Sequence, residues 1–415
     1  MSSRIKSLSS ASIHRICSSQ VITSLGTAVK ELVENSLDAG ATKIEIILKN
    51  YGKDSITVSD DGSGIDPTDF KLIAKKHATN KIEQFKDLES LNTFGFRGEA
   101  LSSLCAITGN NLIITTKLKS DKKSFGYELH YDAEGELIKN KKIAYSKPHG
   151  TTITMTQLFK TLPVRYKDFS KNIKKEYSNL LSILQSYAII QTDVCFIVKN
   201  DNKKVLNTSN NTKNMNTIKN NIGNIFGWKL IEKLRKIDNQ CIDLEDDKIR
   251  MNGYISNEMM ESGRTKSDIQ FFYVNKRPID IYKIQKMMNQ IYRSNINRHK
   301  YPVIILNIEL VTDKYDVNID PNKRTVFIQN EKILIEKLRE FFEKLYQPDN
   351  MSYTVKTLDT FIQTQPDHIH DNHISDNVPP QRDFFVESLE CVFFVEDKVD
   401  DKQGQFENRY SLDRL

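Results

Sequence analysis

The sequence predicts an α+β fold in which a mixed sheet is covered on one face by helices. Residues 27–41 have apolar side chains at helical spacing and end in Gly40, which predicts a helix, and β-rich runs follow at 43–48 and 55–58. Much later, a predicted helix at 281–292 lies between two buried strands. This βαβ pattern indicates a second, smaller α/β region.

The other elements can be taken in order. Asp66 followed by Pro67 is a typical helix start and predicts a helix running to residue 76. Further helices are expected at 99–104, 171–188 and 331–346. Strands are expected at 112–116, 124–131, 151–156, 269–274 and 303–310, and another strand follows the 171–188 helix and ends at residue 198. We therefore expect domains at 1–205 and 225–346, an Asn- and Lys-rich loop at 206–224, and an acidic, largely disordered tail at 347–415.

Charge is unevenly distributed along the 415-residue chain. Residues 347–415 hold 14 acidic and 6 basic side chains, a net of −8, so the total of +6 leaves +14 for the preceding residues. A basic globular body favours a polyanionic partner, usually nucleic acid. No apolar run is long enough to cross a membrane, and the five cysteines lack a CxxC spacing. We expect no membrane partner, and a reducing compartment.

Glu31 and Asn35 lie four residues apart in the 27–41 helix and therefore face the same way, with Asp38 one turn further on. Such a pattern is most often a solvated helix face. A carboxylate and an amide in a cleft could instead act as a base and a metal ligand. Glu34 lies only about 60° around the helix from Glu31, so spacing alone does not exclude Glu34 as the base.

Two glycine-containing segments are candidates for ligand contact. Residues 60–64 (DDGSG) put a carboxylate at a strand end beside glycines, although a plain turn has the same pattern. Residues 95–98 (GFRG) open a predicted helix, where backbone amides can hold a phosphate. The segment matches neither a Walker loop nor a Rossmann fingerprint.

These blocks, in this order, resemble the GHKL ATPases and, within them, the MutL mismatch-repair proteins. Residues 30–41, 95–101 and 272–278 are similar to MutL almost letter for letter, and 16–21 resembles the eukaryotic PMS-type subunit. The resemblance covers roughly residues 1–346. It implies a GHKL (Bergerat) ATPase sandwich followed by a smaller α/β transducer domain of ribosomal-protein-like type.

The resemblance assigns roles to matching positions. It implies that Glu31 is the general base, which leaves Glu34 structural, and that Asn35 is a Mg²⁺ ligand. Asp60 would read the adenine amine, and Lys323 would reach the γ-phosphate from the second domain. The other implied ATP contacts are Gly62, Gly64, Thr79, Asn80, Lys81, Gly95, Phe96, Arg97, Gly98, Glu99, Ala100, Leu101 and Thr152, with Thr151 as the alternative to the last.

Two substitutions depart from the pattern of the family. Asn80 stands where Ser is usual, and its amide can still donate hydrogen bonds, so we expect function to be retained. Asp320 replaces a common His or Thr and brings a carboxylate near Lys323, which could weaken the phosphate contact of that lysine.

The family resemblance also implies cofactors and partners. It implies ATP and Mg²⁺, DNA held without sequence preference, a MutL-type partner subunit in a heterodimer, a MutS-type mismatch-recognition complex and a nuclear location. Candidate DNA contacts are the basic residues Lys171, Lys174, Lys175, Arg264, Arg277, Arg293, Arg298 and Lys300.

Other functions stay open at this point. The metal-dependent endonuclease motif of PMS-type proteins (DQHAxxExxxxE) is absent, so we do not expect this chain to nick DNA by that route, and the tail histidines are interpreted as solvated. One alternative is an ATP-switched DNA- or partner-binding module that does not hydrolyse ATP. Another is an interaction protein that competes for the MutL-type partner. Another GHKL enzyme is disfavoured, because no phosphoacceptor histidine box is present.

Overall fold

The computed structural model describes residues 7–82, 93–122, 124–208, 217–243, 248–311, 314–316, 320 and 323–347. All of them lie in the first of the two units of the chain, Met1–Tyr353, and the second unit, Thr354–Leu415, lies outside the described residues. The tail that is predicted to be disordered, from residue 348 onwards, and its histidines also lie outside the described residues. Among the described residues, no helix has the length and apolar character needed to cross a membrane.

The first sheet has eight strands, and it is mixed as predicted. Their order across the sheet is 5-4-3-6-2-1-7-8 in chain numbering, and only the first and seventh strands run parallel to each other. The strands are β1 (Lys43–Lys49), β2 (Ser55–Asp60), β3 (Leu112–Lys117), β4 (Phe125–Tyr131), β5 (Leu137–Ala144), β6 (Gly150–Thr156), β7 (Cys195–Asn200) and β8 (Lys203–Asn207).

Helices cover one face of this sheet. Alternate residues of β1, which are Ile44, Ile46 and Leu48, are fully buried against the helices, whereas their neighbours in the strand are not. Each such side chain stabilises the fold by about 1.5–3 kcal/mol through removal of apolar surface from water. The helices are α1 (Ser10–Val21), α2 (Leu25–Asp38), α3 (Ala100–Thr108), α4 (Pro163–Lys171) and α5 (Ile173–Ile190).

The second sheet has five strands and contains the predicted βαβ unit. Its strands are β9 (Leu234–Asp243), β10 (Lys248–Ser256), β11 (Gln270–Val274), β12 (Arg277–Ile279) and β13 (Ile304–Glu309), in the order β12-β11-β13-β10-β9. Strands β11 and β13 are parallel and are joined through a helix. The remaining elements are α6 (Ile218–Phe226), α7 (Trp228–Ile231), α8 (Tyr282–Asn295), β14 (Tyr315–Asp316), β15 (Phe327–Ile328) and α9 (Glu331–Leu345).

Strands β11 and β13, in the middle of the second sheet, are buried on both faces. Helices α8 and α9 cover one face through an apolar cluster that includes Ile284 and Leu338. On the other face, Phe271, Tyr273 and Ile305 pack against the end of α5 and against α6 in a separate cluster. The Tyr273 hydroxyl donates a hydrogen bond to the carbonyl of Ser186 in α5 at 2.8 Å. Apolar packing and this bond therefore join the two sheets.

Two local predictions were wrong. Asp66 caps the predicted helix start by accepting from Thr68 N at 2.9 Å, but the helix stops after the 3-10 turn Pro67–Asp69. Hydrogen bonds of three-residue turns, such as Lys75 N to Leu72 O at 2.8 Å, replace the helix. In the predicted 206–224 loop, β8 runs to Asn207 and α6 begins at Ile218, while 209–216 lie outside the described residues.

Candidate functional site

A cavity of about 580 Å³ opens between α2, the end of β2, and the loops that precede α3. It brings together residues from distant parts of the chain, including Lys323 from the region of the second sheet. The predicted residues on its wall are Glu31, Asn35, Asp60, Gly64, Thr79, Asn80, Lys81, Gly95, Phe96, Arg97, Gly98, Glu99, Ala100, Leu101 and Lys323.

Helix α2 carries several of the candidate site residues, and its position is fixed by hydrogen bonds at its first turn and by burial. The Ser24 hydroxyl accepts a hydrogen bond from Thr27 N at 3.1 Å, and the Glu176 carboxylate accepts one from Leu25 N at 3.1 Å. These two acceptors satisfy amide groups that the first helical turn leaves without partners. Most of α2 is buried, so its polar face lies on the cavity and not in open solvent.

Asp60 is held firmly at the inner end of the cavity. One of its carboxylate oxygens accepts from Gly62 N at 2.9 Å and Thr151 N at 3.1 Å, and the other accepts from the Ser36 hydroxyl at 2.9 Å. Burial nevertheless raises the pKa of Asp60 above its ordinary value, because these hydrogen bonds only partly offset the loss of water. An oriented, buried carboxylate of this kind can select a ligand that donates a hydrogen bond.

Thr151 replaces the predicted Thr152 on the cavity wall. Successive residues of a strand point to opposite faces, and β6 turns Thr151 towards the cavity. The Thr152 hydroxyl instead lies 2.7 Å from the Ser59 hydroxyl and accepts from Lys147 Nζ at 3.3 Å. Gly62 does not line the cavity either: it lies against Ala39, where a side chain would have no room.

Asp38 organises the segment that precedes α3. Its carboxylate accepts from the backbone amides of Phe94 at 2.8 Å and Gly95 at 2.9 Å. These bonds hold residues 95–101, here called the phosphate loop, across the mouth of the cavity, with the N-terminus of α3 at its end. At Gly98 (φ +61°), a Cβ would lie 2.5 Å from the carbonyl of Ala78. Only glycine therefore allows residues 77–81, here called the lid residues, to pack this closely.

Two oxygens at the cavity converge on one cationic group. Lys81 Nζ donates to Asn35 Oδ1 at 2.9 Å and to Asp38 Oδ2 at 2.7 Å. Amide and carboxylate oxygens are the ligands that Mg²⁺ prefers. Their convergence on an ammonium group means that they can also accept a metal cation, so the residues fit the predicted Mg²⁺ site. Among the described residues, no cluster of three or more His, Cys, Asp or Glu forms a further metal site.

Glu31 belongs to a buried cluster of four charges. Lys30 Nζ lies 2.8 Å from Glu31 and 3.1 Å from Glu34, and Lys323 Nζ lies 3.2 Å from each of the same two carboxylates. The Tyr187 hydroxyl donates to Glu34 at 2.6 Å. Each ammonium group is thus shared by two carboxylates, and the cluster is neutral.

Charge pairing changes the proton affinities within this cluster. Burial opposes ionisation of Glu31, but the ammonium groups of Lys30 and Lys323 outweigh it and lower the pKa of Glu31 to about 2. Burial likewise opposes the charge on Lys323, whereas Glu34 and Glu31 hold its pKa above the ordinary value. In this arrangement Glu31 is ionised but weakly basic, so any change that draws Lys323 away makes Glu31 a stronger base.

Lys323 reaches the cluster from a constrained backbone position. Its φ of +55° is unusual for a residue other than glycine, and its amide donates to Asp320 O at 2.9 Å. The next residue, Arg324, donates twice to the Asp280 carboxylate at 2.8 and 2.6 Å. The position of Asp320, Lys323 and Arg324 therefore depends on the second sheet.

The candidate DNA contacts differ in their surroundings. Lys171, Lys174 and Lys175 are exposed on α4 and α5. Arg264 pairs through two hydrogen bonds of 2.7 Å with Asp268. Arg293 donates to Arg298 O at 2.8 Å. Arg277 is half-buried and contacts the segment before the phosphate loop, so its guanidinium does not face open solvent.

Sequence reasoning missed several residues that shape the site. Lys30, Ser36 and Asp38 lie on α2 beside the residues that were selected, and Asp38 was noted only for sharing a face with Glu31 and Asn35. Their spacing carried that signal, but their partners come from other segments. Nothing in the sequence relates Tyr187 to Glu34, because 153 positions separate them.

Comparison with known proteins identifies related chains. The profile of the histidine kinase-, DNA gyrase B- and HSP90-like ATPases matches residues 22–160, and that of the DNA mismatch repair protein, C-terminal domain, matches residues 222–347. A solved structure described as the N-terminal domain of a DNA repair protein is 38% identical, with a TM-score of 0.71, over 80% of this chain and 97% of the other.

Two curated relatives are longer than this chain. The chain is 44% identical over 356 residues to the DNA mismatch repair protein PMS1 of Arabidopsis thaliana, covering 86% of this chain and 37% of the relative. It is 40% identical over 363 residues to the mismatch repair endonuclease PMS2 of Homo sapiens, covering 83% and 41% respectively. The chain therefore spans about two fifths of the length of these relatives.

Proposed function

Since the chain belongs to the MutL/PMS family of DNA mismatch repair proteins and carries a GHKL-type ATPase domain, we propose that it binds and hydrolyses ATP in the 580 Å³ cavity. One observation carries this proposal. Glu31 and Lys323, which are 292 positions apart in the sequence, meet at the cavity at 3.2 Å. A residue that orients or activates the attacking water and a cation that stabilises phosphate charge are recurring parts of enzymes that transfer a phosphoryl group.

Nucleotide binding uses the two ends of the cavity. Asp60 accepts a hydrogen bond from the exocyclic amine of adenine, and Thr151 lies beside it. At the other end, the phosphate loop and the N-terminus of α3 offer backbone amides and partial positive charge to the phosphates. Asn35 would hold Mg²⁺ through its amide oxygen, and the metal would neutralise part of the phosphate charge.

Hydrolysis then follows from the charges of the cluster. Glu31 accepts a proton from a water molecule whose oxygen forms the bond to the γ-phosphorus. The bond between that phosphorus and the bridging oxygen breaks, and ADP leaves with the electron pair. The γ-phosphate competes with Glu31 and Glu34 for Lys323, and Glu31 becomes more basic as Lys323 moves towards the phosphate.

At the level of the assembly, we propose that ATP binding closes the lid, brings the second domain closer and promotes N-terminal dimerisation with a MutL-type partner subunit. The resulting clamp holds DNA through backbone contacts, with steep salt dependence, and acts in the nucleus with a MutS-type mismatch-recognition complex. The net charge of the residues before 347, +14, supports a polyanionic partner.

Steady-state phosphate release by the purified chain with Mg²⁺ and ATP tests the proposal. Glu31→Gln keeps the size of the side chain but removes the base, so turnover is expected to fall by at least about a hundredfold. ATP affinity, measured by calorimetry, should remain within the same order of magnitude. Turnover that is unchanged in Glu31→Gln would refute the role of Glu31. ATP binding without phosphate release by the unaltered chain would support the non-hydrolysing alternative.

A further inference from the structure

The guanidinium of Arg277 donates hydrogen bonds to the backbone just before the phosphate loop. Its Nη2 donates to the carbonyl of Thr93 at 2.8 Å, and its Nη1 donates to the carbonyl of Phe94 at 3.4 Å. The guanidinium carbon also lies 5.1 Å from the centre of the Phe94 ring. Arg277 belongs to β12 of the second sheet, 184 positions from Thr93. This contact links the second sheet to the segment that leads into the cavity wall at Gly95.

A tight hairpin gives Arg277 a defined position. Val274 of β11 pairs with Arg277 of β12 across the two turn residues Asn275 (φ +49°) and Lys276 (φ +64°). Positive φ at both central residues is the type I′ geometry, which matches the twist of the flanking strands and favours Asn at the first position.

The tip of this hairpin is also tied to β13. The Asn275 side chain donates to Leu310 O at 2.8 Å and accepts from Leu310 N at 3.0 Å, and Lys276 N donates to Asn307 Oδ1 at 2.9 Å. Arg277 therefore projects from a rigid support.

Phe94 is held from three directions. Asp38 of α2 accepts from its amide at 2.8 Å, and Arg277 donates to its carbonyl. Its ring lies edge-to-face against Tyr187 of α5, with the centroids 5.9 Å apart, and the Tyr187 hydroxyl donates to Glu34. The residue that immediately precedes the phosphate loop is thus fixed jointly by α2, α5 and the second sheet.

We propose that Arg277 is a positioning residue for nucleotide binding: it holds the start of the phosphate loop so that the loop amides and the N-terminus of α3 meet the phosphates. This inference rests on the proposed function, since it requires ATP to occupy the cavity. It also gives the second domain a contact with the phosphate end of the ligand that is separate from Lys323. Adenine recognition, at Asp60, does not depend on Arg277.

The experiment compares the affinities of the full chain for ATP, by calorimetry, and for adenosine, by competition in ligand-observed NMR. Arg277→Gln is expected to weaken ATP binding by roughly tenfold or more, because charge-assisted hydrogen bonds are lost. The adenosine affinity of Arg277→Gln should differ from that of the unaltered chain by less than about twofold. Arg277→Lys should recover only part of the ATP affinity, since an ammonium group lacks the planar fork.

Arg250→Gln, in β10 of the second sheet, is the matched control. It removes an exposed arginine of the same domain that has no contact with the phosphate loop, so both affinities should stay at the wild-type value. Equal losses for ATP and adenosine in Arg277→Gln, or unchanged ATP affinity, would overturn the inference. Full recovery in Arg277→Lys would do so too, because charge alone would then suffice.

The unaltered chain keeps the two proposals apart. If it binds no ATP, the proposed function fails before Arg277 is tested. If it binds ATP and Arg277→Gln binds equally well, only the inference fails. Should Arg277→Gln not fold, Arg277→Lys decides: a loss confined to ATP supports positioning, and wild-type ATP affinity refutes it.

Discussion

At the scale of single residues, the Asp60 carboxylate is buried and held in one orientation, which suits it to accept a hydrogen bond from a ligand. Three protein donors fix its orientation, and only 7% of the residue is exposed. Its raised pKa is the consequence of burial. The residue is thus stable in one orientation while its charge remains sensitive to acid.

Nucleotide affinity should therefore depend on pH through Asp60. In the proposed function the ionised carboxylate accepts the adenine amine, so ATP affinity should fall as the pH drops through the pKa of Asp60. Because burial raises that pKa, the fall should begin at a higher pH than for an exposed aspartate. Affinity for ATP measured between about pH 4 and pH 8 tests this expectation.

Asp60→Asn is the control for this titration. It should bind more weakly at every pH and lose the acid-dependent component. A titration that is identical in the unaltered chain and in Asp60→Asn would show that another group is responsible.

In the cluster of Lys30, Glu31, Glu34 and Lys323, residue type alone does not show which of the two glutamates is the proposed general base. Glu31 lines the cavity, whereas Glu34 does not and accepts from Tyr187 at 2.6 Å. Burial of four charges is tolerated because every one of them has two partners of opposite sign. The family register predicts Glu31 as the base, and Glu31 is the one of these two glutamates that lines the cavity.

At the scale of elements, the lid residues and the phosphate loop are joined through Gly98. His77 N donates to Gly98 O at 2.9 Å, and the positive φ of Gly98 lets its backbone approach Ala78. The two segments are thus one structural unit at the mouth of the cavity. Helix α2 supports this unit through Asp38.

Gly98→Ala should disturb this unit. The added Cβ would lie 2.5 Å from Ala78 O at a φ that alanine disfavours, and such strain costs on the order of 1–3 kcal/mol. We expect ATP affinity to fall clearly, because the strain is relieved by moving the loop. Calorimetry with ATP and a denaturant titration measure the two effects.

Gly40→Ala separates backbone strain from the steric clash. Gly40 also has a positive φ (+68°), but a Cβ there would meet nothing within 4 Å. It should lose some stability and keep ATP affinity. Equal ATP affinities for the two variants would argue against a role of the Gly98 contact.

For the whole molecule, the joint between the two sheets determines how it unfolds. Ile189 and Ile190 of α5 pack with Phe271, Tyr273 and Ile305 of the second sheet. Arg277 and Lys323 add polar contacts across the same joint. Because neither face of β11 and β13 can be exposed without loss of apolar burial, the two sheets should unfold together.

Coincident transitions in urea test this cooperativity. Trp228, the single tryptophan, lies beside Gly223 of α6 near the joint, and its fluorescence should change at the same urea concentration as the far-UV circular dichroism. Phe271→Ala removes a buried ring from the joint and should lower the free energy of unfolding by about 3–5 kcal/mol. The urea midpoints of the fluorescence and circular dichroism transitions should fall together. Two separated transitions in the unaltered chain would contradict a shared unit.

Prediction from the sequence succeeded where local periodicity was strong. Helices α2, α8 and α9 and strands β1, β11 and β13 have one-sided or continuous apolar patterns, and all were predicted. Strand β5 was missed because most of its residues are exposed on both sides, which leaves no alternating pattern. The 66–76 helix was overestimated, because a good cap says where a helix begins and not how far it continues.

By itself, the sequence determined the α+β class, the βαβ unit, the family resemblance and most residues of the cavity, because motif order and hydrophobic period are local properties of the chain. Only the tertiary structure decided that Thr151 and not Thr152 lines the cavity, that Asp38 holds the phosphate loop, and that Arg277 contacts it. Each of these depends on which groups of distant segments face each other. Burial and hydrogen-bond partners are set by that packing, and spacing along the chain does not contain it.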